Sequence, residues 1–79
     1  MDELTRRVLL SFQRPGLEKL DLHELFEAGG NDPQARAKVL DIVEQLVQEG
    51  LMEERGNDFY SLTSSGVTLA KSLEEDVQP

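Results

Sequence analysis

A helical run that stops at Gly50 and passes at once into two short strand-like runs constrains this chain more than any other feature. Upstream, residues 34–49 place apolar side chains at 39, 40, 42, 43, 46 and 47, the three- and four-residue spacing of one helix side. That stripe is wider than a coiled-coil seam and predicts a helix packed on a small core. The opposite face carries Gln34, Lys38, Asp41, Gln45 and Gln48, with Arg36 and Glu44 at its margins. Downstream, residues 51–55 and 59–62 are joined by Gly56-Asn57-Asp58, a glycine-containing link of hairpin length. Period-two alternation predicts Leu51, Tyr60 and Leu62 facing inward, with Phe59 and Ser61 facing out.

The remaining punctuation sets out three more helices. Residues 2–13 repeat Leu4, Val8, Leu9 and Phe12 at helical spacing, with Asp2 as N-cap and Arg14-Pro15-Gly16 as the stop. Residues 17–20 read as a short link or one-bridge strand. Asp21-Leu22-His23-Glu24 has the form of a capping box, and Ala28-Gly29-Gly30 closes a helix of about two turns. Asp32-Pro33 opens the long helix, proline suiting the first helical position. Thr63 caps a last helix over residues 64–73. The acidic run Glu74-Glu75-Asp76 at its negative pole predicts fraying over 74–79.

This order of elements, with the residues at the hairpin, resembles the winged helix regulators. Gln45-Leu46-Val47-Gln48-Glu49-Gly50-Leu51-Met52 is similar to the helix-to-wing entry of the MarR, PadR and ArsR types. Tyr60-Ser61-Leu62-Thr63-Ser64-Ser65-Gly66 is similar to their exit. The resemblance extends from Val8 to Leu73. It implies a mainly α fold with a small β-hairpin: a three-helix core, a two- or three-stranded wing and a C-terminal helix, in one domain over residues 1–79. One departure is the turn Ala28-Gly29-Gly30-Asn31-Asp32, which reads as longer than the tight turn of a helix-turn-helix.

The resemblance implies DNA binding, with the third helix in the major groove and the hairpin tip on the adjacent backbone. On this sequence the contact residues would be Gln34, Arg36, Lys38 and Gln45 on the helix, beside Asp41, and Arg55 and Asn57 at the wing. Gln and Asn suit adenine, Arg suits guanine and Lys38 suits phosphate. Arg6, Arg7, Arg14 and Lys19 would add backbone contacts. Charge opposes this. Sixteen acidic and eight basic residues give a net −8, of which residues 39–79 carry −7 with Arg55 and Lys71 as their only bases. Carboxylates within about 8 Å of phosphates repel them at physiological salt. The alternative is an acidic winged helix protein-interaction module, an adaptor or nucleic-acid mimic, with Phe59 as its aromatic anchor. Both readings stay open on the sequence.

Other function classes find little support. His23 and Glu27 share a helix side but supply two ligands where a structural metal site needs four. Ser61, Ser64 and Ser65 have no evident base, and Gly29-Gly30 is not followed by the Lys-Ser/Thr of a phosphate loop. No enzyme activity and no cofactor are therefore expected. With no cysteine, no apolar run of membrane-spanning length and an acidic start at Met1-Asp2-Glu3, the chain is expected to be cytoplasmic and off the membrane. The terminal helices carry Leu4, Leu69 and Leu73, so a small homodimer and a monomer are both compatible with the sequence.

Overall fold

Four side-chain oxygens placed just ahead of apolar periodic runs decide where the helices begin. The computed structural model describes residues 1–14 and 16–76. Helix α1 (Glu3–Leu10) starts as Asp2 accepts the Thr5 N–H at 2.8 Å. Helix α2 (Leu22–Gly29) starts as Asp21 accepts from Glu24 N–H at 2.9 Å, and α3 (Pro33–Gln48) as Asp32 accepts from Ala35 N–H at 3.0 Å. Helix α4 (Ser64–Asp76) starts at Thr63, whose hydroxyl accepts from Gly66 N–H at 3.1 Å. Each bond satisfies an amide that has no partner inside its own helix.

Two helix ends differ from expectation. Helix α1 stops at Leu10 rather than 13 because the next turn tightens: Phe12 and Gln13 donate to the carbonyls of Leu9 and Leu10, and the Ser11 hydroxyl takes the Val8 carbonyl at 2.6 Å. Helix α4 runs past Leu73 to Asp76, with Leu73 half-buried on the core; residues 77–79 of the expected frayed tail lie outside the described residues. The connection between α2 and α3 also departs from the expected long turn. Helix α2 continues through Gly29, which leaves only Gly30, Asn31 and Asp32 between the two helices.

Strands β1 (Leu20–Asp21), β2 (Met52–Gly56) and β3 (Phe59–Leu62) form an antiparallel sheet in the order β1-β3-β2. The expected bridge at residue 20 is thus a real edge strand, and Leu20 on it is fully buried. Register pairs Met52 with Leu62, Glu54 with Tyr60 and Leu20 with Tyr60, so these side chains share one side of the sheet, where Met52 and Leu20 are buried in the core and Glu54 is exposed. Met52, rather than Leu51, takes the inward place on β2; Leu51 precedes the strand and packs half-buried against the core. The expected three-residue link is shorter, because Gly56 belongs to β2. Asn57 and Asp58 form the turn with φ of 52° and 64°, the positive values a type I′ hairpin requires. A bulge between Glu54 and Gly56 leaves Arg55 without a cross-strand partner.

The core joins Val8, Leu9 and Phe12 with Leu20, Leu25, Val39, Val43, Leu46, Met52 and Ala70. Fully burying one such side chain is worth about 1.5–3 kcal/mol. Leu4, Leu69 and Leu73, the apolar residues of the terminal helices, pack half-buried against this same core.

The base of the hairpin is the tightest junction. Helix α3 ends with Gly50 N–H donating to Val47 at 3.1 Å and Leu51 N–H donating to Leu46 at 2.9 Å, with Gly50 at φ +76°. This pair of bonds is the Schellman pattern, and it needs the left-handed residue that glycine supplies. Across from it, Thr63 N–H donates to the Leu51 carbonyl at 3.1 Å and the Thr63 hydroxyl to the Gly50 carbonyl at 2.6 Å. Gly66 lies against the same spot: a Cβ there would overlap the Leu51 carbonyl oxygen and crowd Leu62 Cβ at 3.2 Å. The Gly50-Leu51 and Leu62-Thr63-Gly66 sequences are therefore two halves of one joint.

Candidate interaction surface

Helix α3 buries Val39, Val43 and Leu46 fully and Ile42 in part, so its solvent arc is wide. That is a correction to the expected stripe. Leu40 is 44% exposed and Val47 37% exposed, and together they lie outside the core rather than in it. A helix lying on a core this small covers one narrow row, not the six positions the periodicity offered.

The arc divides into two flanks. On one flank Gln34, Lys38, Asp41 and Gln45 follow one another at helical spacing, all exposed. They run beside the start of α1: Lys38 and Asp41 share a recess with Asp2, Glu3, Leu4 and Ile42. Gln45 donates to Glu49 at 3.4 Å. On the other flank lie Arg36, Leu40, Glu44 and Val47, with exposed Pro33 and Ala37 beside them. Arg36 and Lys38 are two residues apart, about 200° around the helix, so they do not share a face. The Arg36 guanidinium sits 5.3 Å from the centre of the Phe26 ring on α2.

At the hairpin, Arg55 reaches back across the outer face of the sheet. Its guanidinium donates to the Ser61 hydroxyl at 3.4 Å and lies 3.5 Å from Glu53. That cover leaves Ser61 only 6% exposed, although it is on the side of β3 turned from the core. The expected outward position of Ser61 is thus right in direction and wrong in solvation. Asn57 stands exposed in the turn. Phe59, the predicted aromatic anchor, is half-buried on the same outer face, with Lys19 Nζ 4.7 Å from its ring centre. The structure therefore brings Arg55 near Ser61 and Glu53, and Lys19 onto Phe59, while keeping Arg36 and Lys38 on opposite flanks of α3.

Electrostatics at these places are mostly internal. Arg6 and Arg7 lie 3.3 and 3.6 Å from Glu3, and His23 lies 3.0 Å from Glu27. Exposed pairs of this kind add little stability, about 0–1 kcal/mol each, but Glu3 offsets the charges of Arg6 and Arg7 locally. The Tyr60 phenol is pushed above its usual range by partial burial first, then by the negative charges of Glu54 and Asp58. Both causes favour retention of the phenolic proton. Among the described residues no three His, Cys, Asp or Glu side chains gather as a metal site requires, and no helix is long and apolar enough to cross a membrane.

Sequence reasoning missed the exposed Leu40 and Val47. Their signal was present as a stripe too broad for one buried row. It also missed the cover Arg55 gives Ser61, which depends on a bulge that sequence pattern does not announce. No protein-family model matches the chain, and no curated protein or solved structure matches it either.

Proposed function

We propose that this chain is a winged helix domain that binds another protein, with the Arg36–Leu40–Val47 flank of α3 as its contact surface. The element order, the strand order β1-β3-β2 and the three-residue connection between α2 and α3 support the winged helix reading. The carrying observation for the protein partner is the exposure of Leu40 and Val47 on one helix flank, with Glu44 between them. Apolar side chains grouped on one exposed face mark contact surfaces more often than scattered ones do. Leucine and valine there make no phosphate contact, Arg36 and Lys38 lie on opposite flanks, and Arg55 is paired with Glu53. The DNA reading keeps one observation in its favour: Gln34, Lys38 and Gln45 follow one exposed row of α3.

Fluorescence titration of labelled duplex at low salt, beside co-purification of the tagged chain from its native cells, separates the two. The protein reading expects no duplex binding and a co-purifying protein that is lost in Leu40→Ser/Val47→Ser, with the melting temperature unchanged. Salt-dependent duplex binding abolished by Arg36→Ala/Arg55→Ala would overturn it in favour of DNA.

A further inference from the structure

The exposed flank of α3 carries a pattern that is its own complement. On an α-helix, four residues advance a side chain about 6 Å and turn it about 40°, while seven advance it about 10 Å and turn it about 20° the other way. Counted from Leu40, Arg36 and Glu44 therefore stand one turn before and one turn after, on opposite edges of a narrow strip. Pro33 and Val47 stand two turns before and after, again on opposite edges, and all five residues are exposed. A half-turn about an axis through Leu40, perpendicular to the helix, exchanges Arg36 with Glu44 and Pro33 with Val47. Base falls on acid and apolar group on apolar group. Both charges are open to a partner: among the described residues neither Arg36 nor Glu44 forms an ion pair. The attraction of Arg36 to the Phe26 ring, 5.3 Å away, leaves its N–H donors for an oxygen.

We infer that the partner at this flank is a second copy of the chain, docked α3 against α3, antiparallel, about a two-fold axis at Leu40. The inference rests on the proposed protein-binding flank and names its occupant. Leu40 meets the partner's Leu40 on the axis, Val47 meets the partner's Pro33, and Arg36 faces the partner's Glu44 in two symmetric pairs. A two-fold contact requires a self-complementary patch, and this strip is one only in the antiparallel sense. Parallel helices would set Arg36 against Arg36 and Glu44 against Glu44. Helix α3 has 16 residues, a strip about 24 Å long and one helix wide, so the contact is small and the dimer weak, with a dissociation constant on the order of micromolar or above. Each copy carries −8, but the strip holds one base and one acid, and charges beyond about 8 Å are largely screened at physiological salt.

Sedimentation equilibrium of the full chain at physiological salt, from roughly 5 µM to roughly 1 mM, tests this with a charge swap. Arg36→Glu leaves two acids on the strip and Glu44→Arg two bases, so each variant alone should lose about tenfold or more in dimer affinity. Their equimolar mixture pairs every acid with a base and should dimerise as the wild type does, as should the double variant Arg36→Glu/Glu44→Arg. The substituted positions are exposed, and the melting temperature of each variant reports whether it folds. A wild type that stays monomeric throughout, single variants that dimerise undiminished, or a mixture and double variant that fail to recover would each overturn the inference. The proposed function is judged separately. If the chain is monomeric while Leu40→Ser/Val47→Ser still loses a co-purifying protein, the flank binds a different protein and that reading stands; if no protein co-purifies and no dimer forms, both fall.

Discussion

Gly66→Ala sets two rules of helix energetics against each other at one site. Gly66 occupies the first turn of α4, where glycine is a poor helix former; replacing it with alanine should gain at most about 1 kcal/mol on propensity. The joint at the hairpin base argues the other way. The new Cβ would overlap the Leu51 carbonyl oxygen and come within 3.0 Å of its carbon, and these are backbone atoms that cannot rotate aside. Relief requires α4 to move off the hairpin base. Overpacking of this kind costs about 1–3 kcal/mol. Moving the Leu51 carbonyl also strains the bond it accepts from Thr63 N–H, and an unsatisfied backbone group costs about 1–3 kcal/mol.

The net expectation is a destabilisation of about 2 kcal/mol, large against the roughly 4–12 kcal/mol expected for a domain of this length. At about 4–8 °C per kcal/mol, the melting temperature should fall by roughly 8–16 °C. Thermal and urea unfolding followed by far-ultraviolet circular dichroism would measure it. Ser65→Ala, exposed in the same turn, supplies the propensity gain without the overlap and should match or exceed the wild type. A Gly66→Ala variant as stable as the wild type would refute the close approach of α4 to Leu51, because propensity and packing predict opposite signs.

Two further outcomes concern titration. The Asp2 carboxyl is held below its usual range by the Thr5 amide, so its contribution to stability is present above the unfolded-state value and is lost as pH falls through the folded-state one. The stability difference between wild type and Asp2→Ala, measured by urea unfolding, should therefore shrink on acidification below about pH 4; a difference independent of pH would remove the charged cap from the account. Tyr60 is the one tyrosine and there is no tryptophan, so ultraviolet absorbance reports its phenolate directly. Its midpoint should lie above the ordinary value near 10, with a lower midpoint in Asp58→Asn. Stability should be intact below the unfolded-state value and decline as pH rises through the folded-state one. An unshifted midpoint would show that neither burial nor the hairpin carboxylates act on it.

Local signals were the legible part of this fold. Asp2, Asp21, Asp32 and Thr63 each cap within three residues of themselves, and short-range bonds leave their mark in short-range sequence. The hairpin and its turn were legible for the same reason. What escaped depends on partners distant in the chain. Periodicity could not say that Leu40 and Val47 miss the core while Val39 and Val43 enter it, since α2 and the sheet decide which row of α3 is covered. Leu20 lies in a two-residue strand and is fully buried because Tyr60, far along the chain, pairs with it. The candidate site was legible as a list of residues and not as an arrangement: Arg36 has Phe26 as its neighbour and Lys38 the start of α1.

The Thr63 hydroxyl, donating to Gly50 and accepting from Gly66, also bears on the order of events during folding. Starting a helix is the costly step, since several dihedral angles are fixed before the first bond compensates. Here the residue that starts α4 is positioned by a carbonyl thirteen residues earlier, at the far side of the closed hairpin. This geometry predicts that hairpin closure precedes the first turn of α4. Weakening that joint should slow refolding more than it speeds unfolding, the kinetic signature of a contact already formed in the transition state.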